Sequence, residues 1–148
     1  MLLRALASGT AASLLSTLVS SCYGQRRTDS YASSSNDTSH WLWGERAHGQ
    51  DGADLRHTAT GYAIHHASSV WWAAWYEAWL ARSGSRPVAK AAAMAAIAYA
   101  VDYHVVPRRL TPGFERHVTA RGMLATYAAF GVGLAGVALA RRLSRAHR

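Results

Sequence analysis

The sequence predicts an all-α protein that is embedded in a membrane as a bundle of four transmembrane helices. Half of the 148 residues are hydrophobic, yet the mean hydropathy is close to zero, because long apolar blocks alternate with polar, arginine-rich connectors. Soluble helices and strands instead spread their apolar residues at periods of 3.6 or 2. Each block is close to the length of about 20 residues that a helix needs to cross a bilayer. The four blocks cover residues 3–22, 61–81, 87–106 and 122–140.

The first block carries small residues at every fourth position, which would line one face of a helix and allow close packing against a neighbour. These residues are Ala5, Gly9, Ser13 and Thr17. An alternative interpretation is a cleaved lipoprotein signal, because Val19–Cys22 follows a short basic leader and resembles a processing site. Cleavage of residues 1–21 would leave an acylated Cys22 and three spans. Arg26 and Arg27 are typical of a membrane-helix flank, so we expect the helix to be retained.

A polar connector, residues 23–60, follows the first block. Its stretch Thr28–Ser39 is rich in Ser, Asn and Asp and predicts a flexible loop. Trp41 and Trp43 come next, and two tryptophans in a polar segment are typical of side chains at the lipid headgroup level. We therefore expect Trp41 and Trp43 to form an interfacial anchor, with a ligand-binding platform as the alternative.

The second and third blocks are separated only by residues 82–86, which predicts a tight antiparallel hairpin. Pro87 fits the first turn of the third helix, and Pro107 ends it. In the connector that follows, Thr111 and Pro112 predict the start of a short helix. The fourth block has Ala and Gly residues four positions apart, again favouring close helix contact. The basic tail, residues 141–148, is expected to lie in water.

Six ionisable side chains lie inside the second and third blocks: His65, His66, Glu77, Lys90, Asp102 and His104. A charged group at the centre of a bilayer costs about 2.5–3.5 kcal/mol, so this candidate intramembrane polar cluster calls for an explanation. In a hairpin that turns near residue 84, residues whose numbers add up to about 168 lie at equal depth. This geometry predicts one pair between His66 and Asp102 and a second between Glu77 and Lys90, about 16 Å away at 1.5 Å per residue.

These polar side chains are open to three interpretations. They can form buried pairs that set the register of the helices, which is the simplest. They can also supply titratable steps for proton or ion movement, or ligands for a metal. The sequence contains no compact metal-binding motif, no cofactor motif and no nucleophile clearly placed beside a histidine. We therefore predict no catalytic residue, no cofactor-binding residue and no metal ligand.

The net charge of +8 comes from 15 arginines and one lysine, set against eight acidic residues. The arginines lie at the ends of the apolar blocks instead of forming a single basic patch, so nucleic acid is not an expected partner. In a four-span arrangement, eight cations fall on each side of the membrane, and the positive-inside rule gives no orientation. The single cysteine excludes an intramolecular disulfide.

Several stretches, taken in order, resemble a family of small, uncharacterised bacterial inner-membrane proteins. The stretches are Ser39–Glu45, Leu55–Thr58, Gly61–Ala67 and Val101–Glu115. The last resembles the run "DY-x-VVP-x-RLTPGFE" that these proteins carry after their third helix. The resemblance spans about residues 5–140 and implies a four-helix inner-membrane protein with a retained first helix. It implies no activity.

The sequence thus predicts a multi-pass protein of the bacterial inner membrane with a structural or accessory role, more consistent with a non-enzyme than with an enzyme. Its expected partners are the lipid bilayer and either a second copy of the chain or another membrane protein. A small transporter or proton-conducting protein that uses the polar cluster is the first alternative, and a membrane-embedded metal protein or enzyme is the second.

Overall fold

The computed structural model describes residues 1–83 and 86–147, and the described residues contain helices and no strand. The helices are α1 (Leu2–Thr28), α2 (Ser33–Thr38), α3 (His40–Trp43), α4 (Thr60–Ser83), α5 (Pro87–His104) and α6 (Ala120–Ala146). Short 3₁₀ or π turns occupy Gly44–Ala47, Leu55–Ala59, Arg108–Leu110 and Phe114–Arg116. The all-α prediction is confirmed. The predicted turn near residue 84 and the final residue of the basic tail lie outside the described residues.

The ends of the long helices follow from local chemistry. Asp29 adopts a left-handed conformation (φ 58°) after α1, and its backbone N–H donates to the carbonyl of Gln25. Pro87 occupies the first turn of α5, as predicted. The Thr119 side chain accepts a hydrogen bond from the N–H of Gly122 (3.1 Å) and caps α6.

The four long helices form an up-down-up-down bundle. α1 runs antiparallel to α4, because Ser8 contacts Glu77 near one end and Ser16 contacts His65 near the other. α1 packs most extensively against α6, and α5 also packs mainly against α6. α4 and α5 contact each other much less. They are joined near their connection, where the Tyr76 hydroxyl donates to the Pro87 carbonyl (3.2 Å).

Small residues bring the helices close together. A Cβ atom added at Gly9 would lie 2.6 Å from Cα of Val70 on α4, and one added at Gly133 would lie 2.4 Å from Cα of Ala12. Both distances are too short for nonbonded carbons, which prefer about 3.5–4.0 Å. The predicted face of α1 is confirmed, since Ala5, Gly9 and Ser13 are buried and Thr17 is half-buried.

The bundle places small and polar side chains inside and leucines outside. Twelve of the 14 leucines are exposed, and Leu134 alone is buried. The buried serines, by contrast, are Ser8, Ser13, Ser16, Ser20, Ser33, Ser34, Ser39 and Ser69. Soluble proteins show the opposite distribution, because leucine is among their most buried residues and serine is mostly exposed.

The connector between α1 and α4 is folded, and the prediction of a flexible loop over Thr28–Ser39 was wrong. α2 lies inside this stretch, and its Ser33 and Ser34 are buried. The Ser34 hydroxyl donates to the carbonyl of Ser20 on α1 (2.9 Å), and the Asn36 amide donates to the carbonyls of Gln50 and Gly52. Serine hydroxyls satisfied by nearby backbone carbonyls can be buried, so a composition typical of loops is compatible with a packed helix here.

Two described helices, α1 and α6, are long and apolar enough to cross a membrane by length and composition. The same two helices share the most extensive interface of the bundle.

A segment between α5 and α6 that contains the predicted short helix forms only single 3₁₀ turns, and it covers the end of the bundle with the buried side chains of Phe114 and Val118.

Candidate functional site

Glu77 forms a buried ion pair with Arg141. The guanidinium Nη2 of Arg141 lies 2.6 and 2.8 Å from the two carboxylate oxygens, and the Ser8 hydroxyl donates to Oε1 at 2.5 Å. Glu77 is buried between α1, α4 and α6. The predicted pair between Glu77 and Lys90 was wrong, and so was the expectation that Arg141 lies in water. α6 continues through residue 141 and directs that arginine to the carboxylate.

Lys90 lies on the same end of the bundle but has other neighbours. Its ammonium group donates to the Ser83 hydroxyl (2.6 Å) and lies 5.8 Å from the centre of the Trp79 ring. The Lys90 side chain is largely buried, and these contacts place its ammonium group at the end of α4. Equal depth on two helices did not produce a pair, because depth does not specify the direction in which each side chain points.

The predicted pair between His66 and Asp102 was also wrong. His66 stacks on Tyr62 one turn earlier on α4, with ring centres 5.9 Å apart, and its Nδ1 is buried without a hydrogen bond. Asp102 instead accepts a hydrogen bond from the Tyr127 hydroxyl of α6 (2.6 Å). α4 and α5 have few contacts with each other, and α6 supplies the partner of the carboxylate.

His65 is bonded to α1. Its Nε2 lies 2.9 Å from the Ser16 hydroxyl oxygen, and that hydroxyl lies 2.7 Å from the carbonyl of Ala12. The single proton of the Ser16 hydroxyl is shared between the Ala12 carbonyl, which can only accept, and Nε2 of His65, which donates or accepts according to the tautomer of the ring.

His104 lies at the end of α5, away from His65. Its ring packs edge-on against Tyr99 at 5.8 Å, within a cluster that includes Tyr103 and Tyr127. The Tyr103 hydroxyl donates to Glu115 (3.3 Å) in the segment that covers the bundle. The six residues of the predicted polar cluster are therefore distributed over several sites.

His65 and Asp102 are the two members of that cluster that share a site. Both line a partly open cavity of about 420 Å³ that is formed by residues of the four long helices and of the connectors. Its walls are mainly apolar, and six of the lining residues are aromatic: Trp41, Trp71, Trp72, Phe114, Tyr127 and Phe130. A concave site with apolar walls and a few polar groups is typical of ligand binding.

The two predicted anchor tryptophans have different environments. The indole N–H of Trp41 donates to the carbonyl of Thr111 (2.9 Å), and its ring covers the cavity. Trp43 lies beneath the guanidinium of Arg56, 4.6 Å from the ring centre, and donates to the Arg56 carbonyl. Trp41 therefore lines the cavity, and the interfacial anchor and the ligand-binding platform both stay predictions.

A second polar site lies in the connectors at the same end of the bundle, around the carboxylate of Asp37. Asp37 is 1% exposed, and its Oδ1 lies 3.0 Å from Nδ1 of His48. Its Oδ2 lies 3.6 Å from Nε2 of His117 and has no hydrogen bond. His40 donates from Nδ1 to the Asp37 carbonyl (2.8 Å). The site joins α2 to the segment before α4, which contains His48, and to the segment between α5 and α6, which contains His117.

Burial dominates the electrostatics around Asp37. It raises the pKa of the Asp37 carboxyl to about 7, with His117 and Arg116 opposing the increase. Burial likewise lowers the pKa of His48. Within the described part of the chain, no three His, Cys, Asp or Glu side chains are arranged to hold a metal ion. The arrangement can exchange a proton near neutral pH and can hold the connectors together.

Sequence reasoning missed Arg141, Tyr127 and Asp37 as site residues. Arg141 was assigned to a basic tail, Tyr127 was one of several tyrosines, and Asp37 lay in an apparent loop. A partial signal for Arg141 existed, because it directly follows an apolar block and extends the same helix. The chain matches no protein-family model, no curated protein and no solved structure, so the assignment of function depends on this geometry.

Proposed function

We propose that the chain is a multi-pass helical protein of the bacterial inner membrane, with α1, α4, α5 and α6 as four spans and a structural or accessory role. The observation that carries the proposal is the outward orientation of the large apolar side chains. α1 exposes leucines, α4 exposes Trp71, Trp75 and Trp79, and α5 and α6 expose side chains such as Ile97 and Val132. An exposed apolar surface of this extent requires lipid or a protein partner.

The inner contacts support the same proposal. Membrane helices associate through small residues that allow close approach and through polar contacts between helices. Gly9 and Gly133 supply the first kind, and the Ser8, Glu77 and Arg141 contacts supply the second. An ion pair inside the bundle offsets the cost of placing either charge in lipid. The family resemblance described above, which remains a prediction, favours the same architecture and location.

Spin-label accessibility in reconstituted vesicles tests the number of spans. Single cysteines are introduced into a Cys22→Ser background at positions within the four long helices: Leu14, Trp75, Ile97 and Val132. Labels at all four positions should collide with oxygen and be protected from a water-soluble nickel chelate. A label at Tyr31, exposed on the connector, serves as the control and should be accessible to the chelate.

The outcomes separate the architectures. If the nickel chelate reaches the labels at Trp75 and Ile97 but not those at Leu14 and Val132, only α1 and α6 cross the membrane and the four-span proposal is wrong. If the chelate reaches all four positions, the chain does not span the bilayer.

A second candidate function is that of a small transporter or proton-conducting protein. The observation that favours it is the position of His65 and Asp102 on one cavity inside the bundle. Vesicles that carry a pH gradient test proton conduction directly. Conduction predicts a faster decay of the gradient with the wild-type protein than with Asp102→Asn, and equal decay rates would contradict it.

A further inference from the structure

The two carboxylates inside the bundle differ in their partners. Glu77 is neutralised by Arg141. Asp102 receives one hydrogen bond, from Tyr127 to Oδ2, and forms no ion pair with a described residue. A carboxylate inside a bundle without a positive partner is costly, and the cost is removed when a cation binds beside it.

The walls of the cavity beside Asp102 also favour a cation. Six aromatic side chains, named above, line the cavity, and a cation is attracted to the face of an aromatic ring. None of the described residues that line the cavity is a lysine or an arginine. The chemistry therefore combines one negative charge, several aromatic faces and an apolar lining.

Size and access restrict the class of ligand further. About 420 Å³ lies within the range of about 300–1,000 Å³ that is typical of sites for drug-sized molecules. Ala67 and Trp71 of α4 line the cavity and are exposed, and α4 has few contacts with α5. A molecule that enters between these two helices approaches past exposed tryptophan, so its body must be apolar.

We infer that this cavity binds a lipophilic organic cation, with its positive centre beside Asp102 and its apolar groups against Trp41, Trp72 and Phe130. The inference deepens the transport alternative and rests on it for physiological meaning, but binding itself does not depend on the number of spans. His65 is hydrogen-bonded to Ser16 and lies on the wall as a polar group. Tyr127 is a positioning residue that orients the carboxylate.

Two probes of the same shape and opposite charge test the inference. Tetraphenylphosphonium and tetraphenylborate are titrated into the purified protein in detergent, with empty micelles subtracted, and binding is followed by equilibrium dialysis. We expect one tetraphenylphosphonium per chain and at least tenfold weaker binding of tetraphenylborate. Asp102→Asn should weaken binding of the cation by tenfold or more, and Trp72→Leu by about fivefold.

Two variants control for loss of charge and loss of fold. Asp51→Asn removes the same charge from an exposed site on the connector and should bind tetraphenylphosphonium as the wild type does. Asp102→Glu keeps the charge and should bind within threefold of the wild type, even if Asp102→Asn fails to fold. Equal binding of both probes, unchanged binding by Asp102→Asn, or no saturable binding by folded wild-type protein would each overturn the inference. The spin-label experiment can succeed or fail separately from this one.

Discussion

The contact between Gly133 and α1 gives the most quantitative prediction. In Gly133→Ala the new methyl group would lie 2.4 Å from Cα and 2.5 Å from the backbone nitrogen of Ala12. Ordinary carbon contacts are about 3.5–4.0 Å, so α1 and α6 must separate by roughly 1 Å or more at this point. A backbone cannot move aside as a flexible side chain can, and the contact lies in the largest interface of the bundle.

Gly136 provides a matched control on the same helix. A Cβ at Gly136 has no atom within 4 Å. Both substitutions gain the same helix propensity, about 1 kcal/mol in favour of alanine, so their difference isolates the clash. Overpacking of this kind costs about 1–3 kcal/mol, and a rigid backbone neighbour favours the upper part of that range.

The assay is reversible unfolding in mixed micelles, followed by helix content as the denaturing detergent is increased. We expect Gly136→Ala to be as stable as the wild type or more stable, and Gly133→Ala to be less stable than Gly136→Ala by about 2–3 kcal/mol. Equal free energies of unfolding for the two variants would refute the close approach of α1 and α6 at this position.

Three further predictions concern buried polar groups. Arg141→Gln should destabilise the protein by about 3–5 kcal/mol because it leaves the carboxylate of Glu77 buried without its partner. The control Arg145→Gln, at an exposed position, should have little effect on stability. The double variant Glu77→Gln/Arg141→Gln should recover stability, and additive losses of the two single variants would argue against the pair. Burial raises the pKa of Asp37 from 3.8 to about 7. Between about pH 4 and pH 7 the folded state therefore keeps a proton that the unfolded chain releases. The free energy of unfolding falls as the pH rises through this range. The stability of Asp37→Asn relative to wild type should therefore increase over that range, and a constant difference would count against it. Asn36→Ala should accelerate proteolysis of the connector, because the amide that holds the Gln50 and Gly52 carbonyls is lost; cleavage at the wild-type rate would be the contrary result.

The sequence by itself determined the helical architecture and the packing face of α1, whereas the same spacing at Gly136 and Ala140 of α6 wrongly predicted a contact, because both residues are exposed. Uninterrupted apolar blocks bounded by proline and arginine predict long helices, and the structure has four of them at nearly the predicted positions. The four-residue spacing of Ala5, Gly9 and Ser13 identified the buried face of α1, because residues at this spacing lie on one side of a helix wherever that helix packs. These properties are local, and local periodicity suffices to predict them.

Only the tertiary structure decided which polar groups meet. Helical numbering placed Glu77 level with Lys90 and His66 level with Asp102, but the partners are Arg141 and Tyr127, both on α6. Depth along an axis is set by the sequence, whereas the neighbour of a side chain depends on the rotation of each helix and on which helices are adjacent.

The folded connector and the cavity depend on tertiary structure for a related reason. The serines of α2 are compatible with a loop until backbone carbonyls of other segments come within hydrogen-bond distance, as that of Ser20 does for Ser34. The cavity is formed where α4 and α5 have few contacts with each other, and α1, α6 and the connectors supply its other lining residues. Contacts between segments distant in the chain create both features, and no local pattern of residues encodes such contacts by itself.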